Sequence, residues 1–371
     1  MIKIIRKSGI ISLYLLFLFA LLLPGCRIQT TKKGSDDKVI GVKIYACEGD
    51  VSTLFHKWND LGINTVFTSV SLLSNPEFRK LARKNNITTF VIIPVFFDPE
   101  ALREDPDLYS ITDRGTKAID DWVHFVCPSR KEFREQKIEE IKGVIRDIDP
   151  DGVSIDFIRH FVYWEKVYPG TDPDSLLNTC FDPSCISRFC QDAQITVPES
   201  LSLPVEIAAW IKKDHFEEWT EWKCDLITEM IREITKEARK LKPTIAINVH
   251  LVPWRKNDFN GAIRFVVGQD IPEIAKYTDY LSPMTYAHMV KQAPSWIHSV
   301  VKDASERTGG CVIPSIQVKE AYLKDTLTLR EFKLSLEEAL KPPSHGVVFW
   351  SWETLDQDQG KKDCVKTILN D

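Results

Sequence analysis

The sequence predicts an α/β chain folded as a single (β/α)8 TIM barrel with long loops after its third and fourth strands, and three observations lead there. From residue 39 onward, short runs rich in Val, Ile and Phe alternate with longer stretches of helical spacing, the pattern of parallel strands joined by crossover helices. Eight such runs occur, enough to close a sheet on itself and leave no edge exposed. The length from Cys26 to Asp371 suits one large barrel better than several small domains.

The chain opens with Lys3, Arg6 and Lys7, then an apolar stretch from 10 to 23 broken only by Ser12, then Pro24, Gly25 and Cys26. That is the layout of a secretory signal over 1–25. LPGC at 23–26 resembles a bacterial lipobox, which implies cleavage before Cys26 and diacylglycerol on its thiol, although proline departs from the commoner Ala or Ser before the glycine. An ordinary cleaved signal or an N-terminal anchor helix is the alternative. Residues 26–38 are polar and without periodicity, as in a tether, and the barrel is expected over 39–371.

The eight strands read VIGVKIYA (39–46), NTVFTSV (64–70), TTFVIIPVFF (88–97), DGVSIDFIR (151–159), TIAINVHLVP (244–253), YLSPMTYAHM (280–289), CVIPSIQV (311–318) and GVVFWSWE (346–353). Helical segments such as 133–148 and 220–241 lie between them. Two connections, 98–130 and 160–205, exceed what packing needs. Both follow strand C-termini, so both belong to the face where such barrels bind substrate.

Losing Lys3, Arg6 and Lys7 takes the formal charge from −5 to −8, a mildly acidic balance that gives no reason to expect nucleic acid as a partner. Of nine cysteines, eight remain beside Cys26: Cys47, Cys127, Cys180, Cys185, Cys190, Cys224, Cys311 and Cys364. Outside the cytoplasm these can pair, but spacing does not say which. In CFDPSCISRFC, Cys180, Cys185 and Cys190 invite a metal reading with Cys224 as a fourth ligand. A disulfide stapling the loop, such as Cys180 with Cys185, is the more economical expectation, so neither metal nor cofactor is called for.

Side chains of a barrel strand alternate between the interior and the helices, so parity points to the pocket. On the fourth strand Val153, Ile155 and Phe157 suit the helix side, which turns Ser154 and Asp156 inward. A carboxylate at that strand end is costly unless bonded or functional, and Asp156 is the first catalytic candidate. Asn248 and His250 share the inward face of the fifth strand, Met284, Tyr286 and His288 one face of the sixth, and Trp350 and Trp352 one face of the eighth. An acid, an imidazole, an amide, a phenol and two indoles at one mouth fit a carbohydrate, whose apolar faces stack on aromatic rings while polar groups bind hydroxyls. Apart from Asp156, any one of them alone is as often packing; their convergence is the signal.

DGVSIDFIR resembles the fourth-strand signature of largely uncharacterised bacterial glycoside-hydrolase-like barrels, with an Asp-Gly start, a later Asp and an aromatic-Ile-Arg ending. SPMTY (282–286) and GVVFWSW (346–352) resemble the sixth and eighth strands of family 18 chitinase relatives. The resemblance implies an exported glycoside hydrolase acting on polysaccharide or cell-envelope glycan, lipid-anchored at the cell envelope. It departs where chitinase-like barrels place a catalytic Glu, since that position is Ile158, and Ser154 replaces the middle acid. The substrate-assisted chitinase mechanism is therefore not expected, and a barrel that binds glycan without cleaving it is the rival. The general scheme needs two carboxylates, one donating a proton and one acting as nucleophile or base. Asp156 supplies one; Glu353 is the expected second, with Glu48, Asp98 and Glu165 as other candidates. Arg159, Asn248, His250, Tyr286, Trp350 and Trp352 are the expected substrate contacts, Arg159 also as an ion-pair partner that keeps Asp156 ionised.

Overall fold

A computed structural model of the chain describes residues 38–47 and 49–370, excepting the side chain of Asn370. The expected signal segment, Cys26, the expected tether up to residue 37 and Glu48 lie outside the described residues. Among the described residues, no helix is long and apolar enough to cross a membrane.

Strands stand at all eight expected places: β1 (Val39–Ile44), β2 (Thr65–Thr68), β3 (Thr88–Pro94), β4 (Gly152–Asp156), β5 (Ala246–Leu251), β6 (Tyr280–Pro283), β7 (Cys311–Val312 and Ser315–Gln317) and β8 (Gly346–Trp350). β7 comes in two pieces because Pro314 has no N–H to give the ladder. Its first piece pairs with β6 and its second with β8. Since β8 pairs in turn with β1, and β1 through β6 pair consecutively, every strand has two parallel neighbours and the sheet closes.

Helices cover the outside. They include α1 (Val51–Asp60), α2 (Pro76–Lys84), α3 (Lys131–Ile148), α4 (Pro183–Ala193), α5 (Phe216–Leu241), α6 (Ser295–Thr308), α7 (Leu329–Leu340), α8 (Trp352–Asp356) and α9 (Gln359–Asn370). Each begins or buries for a local reason. Asn75 caps α2 by accepting from the Glu77 and Phe78 amides, with Pro76 at the first turn, where a missing N–H costs nothing. In α3, Phe133, Lys137, Ile141, Ile145 and Ile148 are buried, a spacing of three or four that lays one stripe on the barrel.

The barrel interior has a dry floor and a polar upper layer. Phe67, Phe90, Ile92, Ile313 and Val348 form the floor, and the Phe67 and Phe90 rings stack with centroids 4.9 Å apart. Two glycines make room for them. A Cβ on Gly152 would lie 2.2 Å from the Phe90 ring, and one on Gly41 would lie 2.9 Å from the Phe67 ring. Toward the C-terminal ends of the strands, the same inward faces carry Lys43, Ser154, Asn248, His250 and Ser315, all buried.

The two long loops build a small second core beside the barrel. Cys127 from the first loop joins Cys180, Phe181, Cys185 and Phe189 from the second, over Trp219 and Trp222 of α5. Backbone bonds strap the loops together, with the Asp113 amide donating to the Asn178 carbonyl (2.9 Å) and the Phe181 amide to that of Ile111 (2.8 Å).

Candidate active site

β4 delivers Asp156 to the mouth as its last residue, half-buried, with Oδ1 accepting from the Phe157 amide at 2.7 Å. Phe157 follows with φ of 48°, a conformation uncommon outside glycine, and it turns its ring sideways onto Phe97 (4.7 Å). The strand-four parity thus holds up to Asp156 and ends there. The Asp156 carboxylate is the electrostatic centre of the mouth. Its field acts on Lys43, Tyr45, Arg159, Glu165, His250 and Tyr286.

Below Asp156 lies a buried polar chain anchored by Lys43. Its Nζ meets His250 Nδ1 and Tyr286 Oη, each at 3.2 Å. An ammonium can only donate, so Nδ1 accepts and the imidazole proton sits on Nε2, which donates to Ser154 Oγ at 2.8 Å. Asn248 Nδ2 donates to the same hydroxyl at 2.8 Å. Burial lowers the Lys43 ammonium to about 8 against the pull of Asp156, and burial with the neighbouring Lys43 pushes His250 to about 3. The imidazole is therefore neutral at ordinary pH. Asn248 and His250, expected as substrate contacts, instead sit beneath the mouth, fully buried and occupied with Ser154 and Lys43. Lys43 was missed by reading the sequence, yet it left a signal: a lone cation on the inward parity of an otherwise apolar strand.

Arg159 is also buried. It donates to the carbonyls of Val162 (2.7 Å) and His160 (3.2 Å) and lies over the Phe125 ring. Burial lowers its pKa to about 10, opposed by the charges of Glu165 first and Asp156 second. The expected ion pair with Asp156 is replaced by this backbone cradle, because the chain turns at Phe157 and carries residue 159 into the loop.

Glu165, in the loop after β4, is the acid whose environment is most perturbed. It is only 8 % exposed, and its Oε2 is buried without a hydrogen-bond partner. Burial raises its pKa to about 7, with Arg159 pulling the other way. Glu353 has a different setting. It lies in the first turn of α8, and its Oε1 accepts from the amides of Tyr45 (2.7 Å) and Ala46 (3.3 Å), which ties off the end of β1. Its other oxygen is buried and unpartnered. Asp98 caps a short helix at the Ala101 amide and pairs with Lys137 at 2.9 Å.

Aromatic rings wall the mouth. Trp350 stacks on Tyr286 with centroids 4.6 Å apart. Trp122 donates its indole N–H toward the hydroxyls of Tyr163 (3.0 Å) and Tyr322 (3.1 Å), and Tyr45, Trp122 and Tyr322 are exposed. Trp352 leaves this group: β8 ends at Trp350, the chain enters α8, and Trp352 packs edge-on against Trp58 among the outer helices. His288 likewise departs from Tyr286, its ring held between Glu331 and the Asp325 carbonyl, because β6 ends at Pro283.

The cysteines depart from expectation too. Cys180 and Cys185 are free thiols, so no disulfide joins them, and Cys190 and Cys224 stand apart from them. The residues that converge are Cys127, Cys180, Cys185 and Asp182.

No family model matches the chain, and a search of curated proteins finds no match. Solved structures do resemble it. The PgaB (BpsB) glycoside hydrolase domain from Bordetella bronchiseptica superposes with a TM-score of 0.66 at 11% identity, over 89% of this chain and 98% of that one. A polyextremophilic β-galactosidase from the haloarchaeon Halorubrum lacusprofundi gives 0.63 at 11% identity, over 88% of this chain and 57% of that one. A chitinase from Chromobacterium violaceum gives 0.50 at 10% identity, over 90% and 99%. Identities this low speak for the fold alone, and the fold that these structures share with this chain is the α/β barrel.

Proposed function

We propose that the chain is an exported, lipid-anchored glycoside hydrolase acting on a polysaccharide or cell-envelope glycan at the C-terminal mouth of its barrel. The observation that carries this reading is a buried acid of raised pKa, Glu165, within the field of the strand-end carboxylate Asp156 and beside aromatic walls. Asp156 stands at the strand end above a neutral imidazole and a buried ammonium. Glu165 stays protonated up to about pH 7. Glycosidic cleavage needs an acid that keeps its proton beside a second carboxylate, and Glu165 meets the first requirement. In this assignment Glu165 protonates the leaving oxygen and Asp156 acts as nucleophile or base. Glu353, the earlier candidate for the second carboxylate, instead positions Tyr45. Trp350, Tyr45, Trp122 and Tyr322 offer faces for sugar rings. Lys43, His250, Ser154 and Asn248 form the polar layer beneath.

The rival, a barrel that binds glycan without cleaving it, draws support from Ser154 and Ile158, which stand where chitinase-like barrels carry acids. Release of reducing sugar from a panel of bacterial and plant polysaccharides decides between them. The full chain should release sugar, and Asp156→Asn should lower the rate by about 10²- to 10⁴-fold while its melting temperature stays close to that of the parent. Binding of a glycan by both proteins with release by neither would sink the catalytic reading and leave the binding one.

A further inference from the structure

The small core between the two long loops contains four potential metal ligands. Cys127 Sγ lies 3.0 Å from Cys185 Sγ, and Cys180 Sγ lies 2.9 Å from Asp182 Oδ2. All four ligand atoms fall within 4.8 Å of one another, and all four residues are buried. Tetrahedral zinc with Zn–S near 2.3 Å sets its ligands about 3.8 Å apart, so small rotations of these side chains would admit one ion.

The aspartate is divided in a way that suits ligation. Its Oδ1 caps α4 by accepting from the amides of Ser184 (2.8 Å) and Cys185 (3.2 Å), which leaves Oδ2 aimed at the sulfurs. Groups that would stabilise thiolates already surround the cluster. Ser129 Oγ lies 2.8 Å from Cys185 Sγ, the Ile111 amide donates to Cys180 Sγ at 3.2 Å, and Arg130 lies 3.5 Å from Asp182 Oδ1. Such second contacts orient ligands and offset the negative charge of three thiolates and a carboxylate around a dication.

We propose that Cys127, Cys180, Cys185 and Asp182 bind a single divalent ion of the zinc class, which staples the loop after β3 to the loop after β4. The site is structural: four protein ligands fill a tetrahedral shell and leave no open position for a reacting group. On binding, each thiol gives its proton to solvent and its sulfur donates a lone pair, with no redox change. The inference is independent of the catalytic assignment, since none of the four residues lies among the groups at the mouth.

The test is elemental analysis of the full chain, purified under reducing conditions without chelator. About one zinc per chain is expected. Cys127→Ser and Cys185→Ser should each retain less than about a tenth of it, and Cys190→Ser should retain it all. Because a serine variant could lose metal merely by misfolding, the parent chain is also loaded with cobalt(II). Visible d–d bands of tetrahedral coordination with sulfur-to-cobalt charge transfer in the near ultraviolet support the site. Failure of the reduced parent to take up zinc or cobalt would overturn it. So would full zinc in a folded Cys185→Ser chain, or a Cys127–Cys185 disulfide in a non-reduced peptide map of the exported protein.

Discussion

Glu165 carries the sharpest consequence of burial for a single side chain. Its pKa is raised from 4.5 to about 7, so between those values the native protein holds a proton that the unfolded chain has released. Stability must therefore fall as pH rises through that window, and the loss is complete above about 7. Glu165→Gln removes the ionisation. The variant should match the parent at pH 4 and outlast it at pH 8 by an amount on the order of 2 kcal/mol, read from thermal or denaturant melts at the two pH values. An equal difference at both would mean that Glu165 has the same pKa in the native and unfolded states. If the same residue is the general acid, kcat/KM on a cleavable glycan declines above about pH 7 in the parent, and the variant loses about 10²- to 10⁴-fold with that alkaline limb absent.

At the scale of elements, the strands were legible because their inward and outward positions alternate cleanly, and Gly152 shows how closely that alternation is fitted. It opposes Phe90 in the β3–β4 register, where a Cβ would sit 2.2 Å from the ring. Gly152→Ala should destabilise the protein by about 1–3 kcal/mol through overpacking. Pairing it with Phe90→Leu should recover much of that loss, a coupling that denaturant melts of the four proteins would measure. Additive losses would mean the floor relaxes elsewhere. The parity that locates Gly152, Ser154 and Asp156 fails as soon as a strand ends. Trp352 was grouped with Trp350 by alternation, yet the chain turns into α8 at Ser351, and His288 parts from Tyr286 for the same reason. Arg159 and Glu165 lie beyond β4, where a loop follows tertiary contacts and no period. The four-residue ligand cluster was hidden differently. Spacing brought Cys180 and Cys185 forward, but Cys127 comes from another loop, and only the strapping of the two loops makes it a neighbour.

For the molecule as a whole, the parallel strands fix which end faces what. All eight run the same way, so the mouth with Asp156 lies at their C-terminal end and Val39 starts β1 at the other. A lipid on Cys26, which precedes β1, would hold the barrel from the end opposite its mouth and present the site away from the membrane. This leads to an expectation with two parts. In cells, the full chain should collect with membranes and partition into detergent, whereas a variant that begins at Arg27 behind an ordinary cleavable signal should move to the soluble phase. Turnover of a large polysaccharide per molecule should agree within about twofold between the parent in liposomes and the variant in solution, since the anchor and the mouth do not compete for space. A polymer-specific drop on liposomes, with a short oligosaccharide cleaved equally by both, would mean the mouth is turned toward the lipid. Detergent partition unchanged in the variant that begins at Arg27 would remove the lipid on Cys26 as the means of attachment and place that attachment in the barrel.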